Sequence, residues 1–283
     1  MSEKGRVEKI IAGTYFVKTD CLKEFTAKGV MKIKSDGILV GDEVEIDGGA
    51  ICSVLPRKSR LLRPAVANID LAVVVIAELP KPDYYLTDKF IGNCILSEVP
   101  VVIAVNKSDL GDGLLKEIKE NYNSVAEKIF AVSAKTKDGL EEFKRYLTGK
   151  TAVFSGQSAV GKTSIVNSLF GEERETGDLS EKTLRGKQTT TVAEIIEKDG
   201  LTVIDTPGFS ALDLDLTKDE ISVAYPEFSG YNCKFSDCKH INEPSCAVKE
   251  AVKNRLISGS RYERYAKLFG LAKDSRYEYK KRN

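Results

Sequence analysis

The chain has 283 residues, of which 42% are hydrophobic and 30% charged, and its formal net charge is +1. This composition excludes a disordered or collagen-like chain, and the length predicts two or three domains. Its longest apolar runs, Leu71–Ala77 and Val99–Val105, are too short to span a bilayer, and the first residues lack the apolar run of a signal peptide. We therefore expect a cytoplasmic protein whose six cysteines are reduced or metal-bound.

Residues 1–63 are predicted to form a small β-barrel of the OB type. Short β-rich segments alternate there with turns rich in glycine and aspartate. These segments are Gly5–Ile11, Thr14–Lys18, Val30–Ile33 and Glu43–Ile46. Such barrels often bind nucleic acid, but a barrel without a ligand is the alternative, because a fold does not prove a function.

A basic segment follows the barrel. Residues 56–64 carry four Lys or Arg residues between two prolines. Such a segment is either a solvated linker or an extension of a phosphate-binding surface.

Residues 64–215 are predicted to form an α/β domain in which buried strands alternate with amphipathic helices. A buried strand ends at the tetrapeptide Asn106-Lys107-Ser108-Asp109, which fits the N-K-x-D signature of guanine recognition. The carboxylate of Asp109 would accept hydrogen bonds from N1–H and the exocyclic amine of guanine, and adenine cannot supply both. The next strand closes with Ser133-Ala134-Lys135, which resembles the S-A-K loop that supports the same base through backbone contacts.

A phosphate-binding loop comes next along the chain. It is Gly156-Gln157-Ser158-Ala159-Val160-Gly161-Lys162-Thr163, which fits G-x-x-x-x-G-K-[ST]. A predicted strand, Thr151–Ser155, precedes the loop, and a predicted helix begins at Ser164, so the helix N-terminus faces the phosphates. Lys162 would reach the β- and γ-phosphates, and the Thr163 hydroxyl would bind Mg²⁺.

Two predicted switch segments complete the catalytic set. Residues 171–191 are polar and aperiodic, and they end with Gly186-Lys187-Gln188-Thr189-Thr190-Thr191. Thr189 and Thr190 are equal candidates to complete the Mg²⁺ shell; a threonine-rich entry into a strand is the alternative. The second segment, Asp205-Thr206-Pro207-Gly208, fits D-x-x-G, with Asp205 holding Mg²⁺ through water and the N–H of Gly208 meeting the γ-phosphate.

The order of these motifs is circularly permuted. In ordinary GTPases the phosphate loop comes first and N-K-x-D comes late, whereas here N-K-S-D precedes the phosphate loop. Permutation is tolerable because chain termini often lie close together. It lets the second switch lead directly into residues 216–283.

Residues 216–283 are predicted to bind zinc and to end in a basic tail. Cys233, Cys238, His240 and Cys246 form a Cys₃His set, which is typical of a closed, structural zinc site; chance clustering in a loop is the alternative. Residues 249–283 contain eleven Lys or Arg against four Asp or Glu. Aromatic residues interleave with these charges, which favours stacking on RNA bases or, alternatively, an amphipathic helix packed through its aromatic side. The aromatic residues are Tyr262, Tyr265, Phe269, Tyr277 and Tyr279.

Together these features resemble the circularly permuted, ribosome small-subunit-dependent GTPase A (RsgA) family over the whole chain. The resemblance implies GTP hydrolysis stimulated by the small ribosomal subunit and its rRNA, in late maturation of that subunit. It also implies Mg²⁺ with the nucleotide and one structural Zn²⁺. Family members commonly carry G-R-H-T-T where this chain has Gly186-Lys187-Gln188-Thr189-Thr190. Gln188 is therefore the candidate to position the attacking water in place of the missing histidine; the alternative is that this role lies elsewhere.

Two function classes therefore compete. In the first, the chain is a GTPase whose candidate catalytic residues are Lys162, Thr163, Gln188, Thr189, Thr190, Asp205 and Gly208. Phe209 stands where many GTPases place a water-orienting glutamine, so slow turnover without a partner is expected. In the second, the chain is an RNA-binding assembly factor in which hydrolysis merely resets the nucleotide state. In both, we expect a monomer. A metabolic kinase would leave N-K-S-D, the cysteine cluster and the basic tail unexplained.

Overall fold

A computed structural model describes residues 3–20, 22–27, 37–171, 193–206 and 216–273. Predictions on Val30–Ile33, Gln188, Thr189, Thr190, Gly208, Phe209, Tyr277 and Tyr279 lie outside these residues. Within the described residues, no helix is both long and apolar enough to cross a membrane.

The amino-terminal part is a closed five-stranded barrel, as predicted. Its strands are β1 (Glu3–Ile11), β2 (Thr14–Lys18), β3 (Leu22–Ala27), β4 (Glu43–Asp47) and β5 (Ala50–Val54). The barrel closes because β1 pairs with both β2 and β4, while β5 joins β3 to β4. Val7, Val17, Val44 and Ile51 are fully buried inside it. The sequence patterns did not single out β3, because Phe25 is its one buried side chain.

The basic segment after the barrel is a packed joint rather than a solvated linker. Arg57 donates to both carboxylate oxygens of the buried Asp42, at 2.7 and 2.8 Å. Leu61 is fully buried, and its short strand β6 (Arg60–Leu61) pairs with β7 (Val66–Ala67). The guanidinium of Arg57 therefore holds the joint together, which argues against a phosphate contact for this residue.

An α/β sheet with helices on both faces forms the middle of the chain. Its strands are β8 (Leu71–Ile76), β9 (Val101–Val105), β10 (Lys128–Ala131), β11 (Thr151–Ser155), β12 (Glu194–Lys198) and β13 (Leu201–Asp205). The order is β10-β9-β8-β11-β13-β12, parallel except for β12. Because both faces of the central strands are covered, they are continuously apolar, and every residue of β8 and β9 is buried.

Four helices cover the two faces of this sheet. They are α1 (Tyr84–Leu96), α2 (Gly113–Tyr122), α3 (Leu140–Leu147) and α4 (Lys162–Phe170). Phe90 of α1 and Ile118 of α2 pack in one core, whereas Phe143 of α3 and Ile165 of α4 pack in the other. The predicted alternation of strands and helices is therefore confirmed.

The barrel and the α/β sheet are joined edge to edge. Strand β1 pairs with β12 through Lys9 and Glu194, whose side chains also form an ion pair at 3.0 Å. Glu197 of β12 accepts from Arg6 and Lys18 of the barrel. One sheet thus runs from β10 to the barrel, and the boundary at residue 63 stays a prediction.

The carboxy-terminal part is built on three helices and a cysteine-rich loop. The helices are α5 (Lys218–Val223), α6 (Ala247–Lys253) and α7 (Gly259–Leu271). Tyr265 is fully buried in their common core, where Tyr262 and Phe269 also pack. For these three residues the structure favours the packed amphipathic helix over stacking on RNA. The side chains of Arg261 and Arg264 are only 1% and 8% exposed, so part of the predicted basic tail is interior.

Candidate nucleotide site and metal centre

The phosphate loop has the backbone shape that its glycines predict. It connects β11 to α4, and Gly156 and Gly161 have φ angles of 152° and 91°, which favour glycine. A Cβ atom on Gly156 would lie 2.3 Å from the carbonyl oxygen of Val75. A Cβ on Gly161 would lie 2.3 Å from Nδ2 of Asn106, so the loop fits closely against the base-recognition motif.

Lys162 points into its own loop. Its ammonium donates to the carbonyl oxygens of Gly156 at 2.9 Å and Gln157 at 2.8 Å, and the residue is 7% exposed. The positive charge is thus held where the loop would receive phosphates.

Asn106 ties the phosphate loop to the S-A-K loop. Its amide nitrogen donates to the carbonyl of Val160 at 2.8 Å, and its amide oxygen accepts from the N–H of Ala134 at 3.2 Å. Lys107 adds a second tie, because its ammonium donates to the carbonyls of Leu79 and Ala159. Base motif and phosphate loop are therefore one connected structure, although about fifty residues separate them in sequence.

A hydrogen bond from Ser133 positions the carboxylate of Asp109 and favours its charged form. The Ser133 hydroxyl donates to its carboxylate at 2.6 Å, and this bond holds the pKa of Asp109 below its ordinary value. The carboxylate is therefore ionised at neutral pH, which is the state that accepts hydrogen bonds from guanine.

The base-recognition motif, the S-A-K loop and the end of the phosphate loop line one open cavity of about 390 Å³, within the usual size range of small-ligand sites. The lining residues are Asn106, Lys107, Asp109, Leu110, Ser133, Ala134, Lys135, Gly161 and Ser164. Sequence analysis missed one of them, Leu110. Its position directly after N-K-S-D is the sequence feature that could have identified it. The exposed side chain of Leu110 offers an apolar surface in the cavity.

Other predicted residues do not line this cavity. Ser158 and Ala159 are exposed in the phosphate loop, and Ser108 begins a short turn after Lys107. Asp205 ends β13, in register with Phe154 of β11, and so lies beside the start of the phosphate loop. Thr163 stands in the first turn of α4, half-buried. Of the predicted Mg²⁺ ligands, Thr163 and Asp205 lie within the described residues, and both carry the oxygen ligands that Mg²⁺ prefers.

The four predicted zinc ligands come together in the carboxy-terminal part. The sulfur atoms of Cys233, Cys238 and Cys246 and Nδ1 of His240 all lie within 4.8 Å of one another. Nδ1 is 3.4–3.6 Å from each sulfur, and two of the sulfurs are 3.9 Å apart. Zn–S bonds of about 2.3 Å and Zn–N bonds of about 2.0 Å in a tetrahedron require separations of roughly 3.5–3.8 Å. The donor set therefore fits zinc.

Aromatic hydroxyl groups fix the loop that carries these ligands. Tyr262 and Tyr265 of α7 donate to the carbonyls of His240 and Lys239, each at 2.7 Å. Two aromatic residues of α7, for which stacking on RNA and packing within the protein were both open, thus hold the cysteine-bearing loop in place.

A model of the family described as "RsgA GTPase" matches residues 54–215. A curated relative from Agathobacter rectalis, named "Small ribosomal subunit biogenesis GTPase RsgA", is 40% identical and covers 94% of this chain and 96% of its own. The chain belongs to the RsgA GTPase family. As a member of that family it is a GTPase, a hydrolase that acts on GTP.

Solved structures agree with the RsgA architecture. The crystal structure of YjeQ from Thermotoga maritima has a TM-score of 0.79 and 34% identity, with 100% of both chains covered. YloQ, titled a circularly permuted GTPase, has a TM-score of 0.73 and 26% identity, covering 96% of this chain and 95% of that one. The predicted fold class, including the permuted motif order, is therefore confirmed.

Proposed function

We propose that this chain binds the small ribosomal subunit and hydrolyses GTP to GDP and phosphate during late maturation of that subunit. The observation that carries the proposal is the cavity in which Asp109, fixed by Ser133, meets the S-A-K loop beside the phosphate loop. The name of the curated relatives supports the choice of partner. Zinc held by the Cys₃His cluster, Mg²⁺ bound with GTP, rRNA contact, a monomeric state and a cytoplasmic location belong to the same proposal.

The proposed chemistry is mainly positioning and electrostatic stabilisation. Lys162 would donate to the β- and γ-phosphates, and Thr163 and Asp205 would hold Mg²⁺, which supplies positive charge at the phosphates. Gln188, one of Thr189 and Thr190, and Gly208 are proposed to complete the site from the two switch segments.

GTP turnover is expected to be slow for the isolated chain and much faster with small subunits. Phe209 cannot orient water, so a group from the partner, or switches ordered by it, would complete the site. Completion of this kind is worth roughly 10³–10⁵ in rate. Phosphate release is measured with and without purified small subunits, and large subunits serve as the control. Equal rates under all three conditions would contradict partner activation.

A second candidate function follows from Phe209 as well. The chain would act as a nucleotide-switched RNA-binding factor, with hydrolysis as a reset. A Lys162→Ala chain that still matured subunits at the normal rate would favour this alternative.

Asp109→Asn is expected to exchange guanine for xanthine specificity. An asparagine amide has one acceptor oxygen, so when it accepts from N1–H its N–H₂ group faces the exocyclic amine of guanine, donor against donor. The same N–H₂ group can donate to the carbonyl that xanthine has there. Each lost charge-assisted bond costs about 1.5–3 kcal/mol, or roughly 10- to 150-fold in affinity. Dissociation constants for fluorescent GDP and xanthosine diphosphate measure the exchange.

Asp112→Asn is the matched control for that substitution. Asp112 is exposed and paired with Lys116, outside the cavity, so its variant should bind GDP like the original chain. If Asp109→Asn also kept its GDP affinity, the assignment of the base-recognition carboxylate would be wrong.

A further inference from the structure

One face of helix α1 is docked on the carboxy-terminal part of the chain. Tyr85, Asp88 and Gly92 share this face, because residues three and four apart are neighbours on a helix. The ammonium of Lys267 lies 4.5 Å from the ring centre of Tyr85. Gly92 allows the closest approach, since a Cβ there would lie 2.8 Å from Cβ of Ala224. A helix of the GTPase sheet thus packs directly on the part of the chain that carries the cysteine cluster.

Asp88 fastens this contact with buried ionic bonds. Its carboxylate has no exposed surface and lies 2.7 Å from Nη1 of Arg261 and 2.6 Å from Nε of Arg264. The hydroxyl groups of Tyr122 and Tyr225 donate to the same carboxylate at 2.6 and 3.1 Å. Since an uncompensated buried charge is costly, α1 and α7 are expected to move as one body.

The arginines are also held by aromatic rings. The guanidinium of Arg261 lies 4.4 Å from the ring centre of Tyr225, and that of Arg264 lies 5.1 Å from that of Tyr84 in the first turn of α1. We call the contacts of Asp88 with Arg261 and Arg264 the Asp88 clasp. Through Arg264 and Tyr84 this clasp reaches the amino-terminal end of α1.

That same end of α1 contacts the phosphate loop. Asp83 caps the helix, accepting from the N–H of Leu86 at 3.0 Å. The N–H of Asp83 in turn donates to Oε1 of Gln157 at 2.9 Å, and Nε2 of Gln157 donates to the carbonyl of Lys81 at 3.3 Å. The second residue of the phosphate loop is therefore hydrogen-bonded to the cap, less than two turns from Asp88.

We propose that α1 couples occupancy of the phosphate loop to the position of the cysteine-bearing part, residues 216–273. Gln157 senses the loop at the helix cap, and the Asp88 clasp passes a displacement of the helix to Arg261 and Arg264. The coupling rests on the proposed function, because it requires that the loop bind nucleotide phosphates. It gives Gln157 and Arg264 the role of positioning residues.

Coupling of this kind is reciprocal, so loosening the clasp must change nucleotide affinity. The experiment is a double-mutant cycle in the full chain, with Gln157→Met and Arg264→Met as the single variants and fluorescent GDP as the probe. Methionine matches the length of glutamine and the aliphatic stem of arginine, and it removes the hydrogen-bonding atoms of both. Arg264→Met is expected to change the dissociation constant of GDP by about fivefold or more, although Arg264 lines no part of the cavity.

In the Gln157→Met background, Arg264→Met is expected to change the dissociation constant of GDP by less than about twofold. A change of that size is within the deviation from additivity that independent sites show. Effects that simply multiply, or an Arg264→Met chain with unchanged GDP affinity, would overturn the coupling. Failure of the original chain to bind GDP would instead overturn the proposed function.

Matched variants keep the test decisive. Lys253→Met removes the same charge from an exposed position on α6 and should leave GDP affinity unchanged. If Arg264→Met does not fold with its zinc, Arg264→Lys replaces it, because the charge is kept while the bonds of the guanidinium fork are lost. If Gln157→Met alone abolishes binding, Asp83→Ala replaces it and breaks the helix cap outside the loop.

Discussion

Removal of zinc is expected to unfold residues 216–273 while the barrel and the GTPase sheet stay folded. Cys233, Cys238, His240 and Cys246 lie on a loop with little regular structure, and the small core around Tyr265 depends on that loop being closed. Structural zinc contributes roughly 10–16 kcal/mol in small zinc-finger peptides, which is as large as the whole unfolding free energy of a typical domain, about 5–15 kcal/mol. The loss of order after chelation should therefore be complete rather than partial.

Chelation followed by limited proteolysis and circular dichroism measures this effect. New cleavage sites should fall within residues 216–273, and α-helical signal from α5, α6 and α7 should be lost. Cys246→Ser should purify without zinc, whereas Cys52→Ser should keep one zinc per chain, because Cys52 lies in the barrel away from the cluster. A zinc-free chain that resisted protease at 216–273 would show that the cluster is not a structural metal site.

The candidate nucleotide site could be proposed from sequence because each of its motifs is local. The loop after β11 needs glycine at positions 156 and 161 to turn and to pass Asn106, and that need leaves a fixed spacing in the chain. Guanine recognition likewise depends on four consecutive residues at the end of a buried strand. The strand before the phosphate loop, Thr151–Ser155, is where the apolar pattern predicted it.

Contacts between distant residues left no such pattern. Asp88 and Arg264 are 176 positions apart, and in sequence the arginine looks like one more charge of a basic tail. Burial of Arg261 and Arg264 could not be inferred from charge counting, because their partner lies on a helix that precedes the phosphate loop. The barrel strand β3 was missed for a related reason: its pairing with β2 and β5, rather than its own hydrophobic pattern, makes it a strand.

Asp88→Asn is expected to destabilise the docking of the carboxy-terminal part more than any surface charge change. The substitution keeps the shape of the side chain but leaves Arg261 and Arg264 with less compensating charge in a buried site. Glu227 still pairs with Arg261, whereas Arg264 keeps hydrogen bonds to the neutral side chains of Asn121 and Tyr122. Breaking a buried ion pair by removing one partner costs about 3–5 kcal/mol.

Urea unfolding, followed by circular dichroism and by zinc release, measures the loss. The transition that releases zinc should shift to lower urea for Asp88→Asn. Glu142→Gln breaks an exposed pair with Lys128 and should leave the transition in place, because exposed ion pairs contribute little. Equal midpoints for the two variants would mean that the Asp88 cluster is energetically neutral. The proposed coupling through α1 would then lose its support from the Asp88 clasp, while the proposal for the nucleotide site would be unaffected.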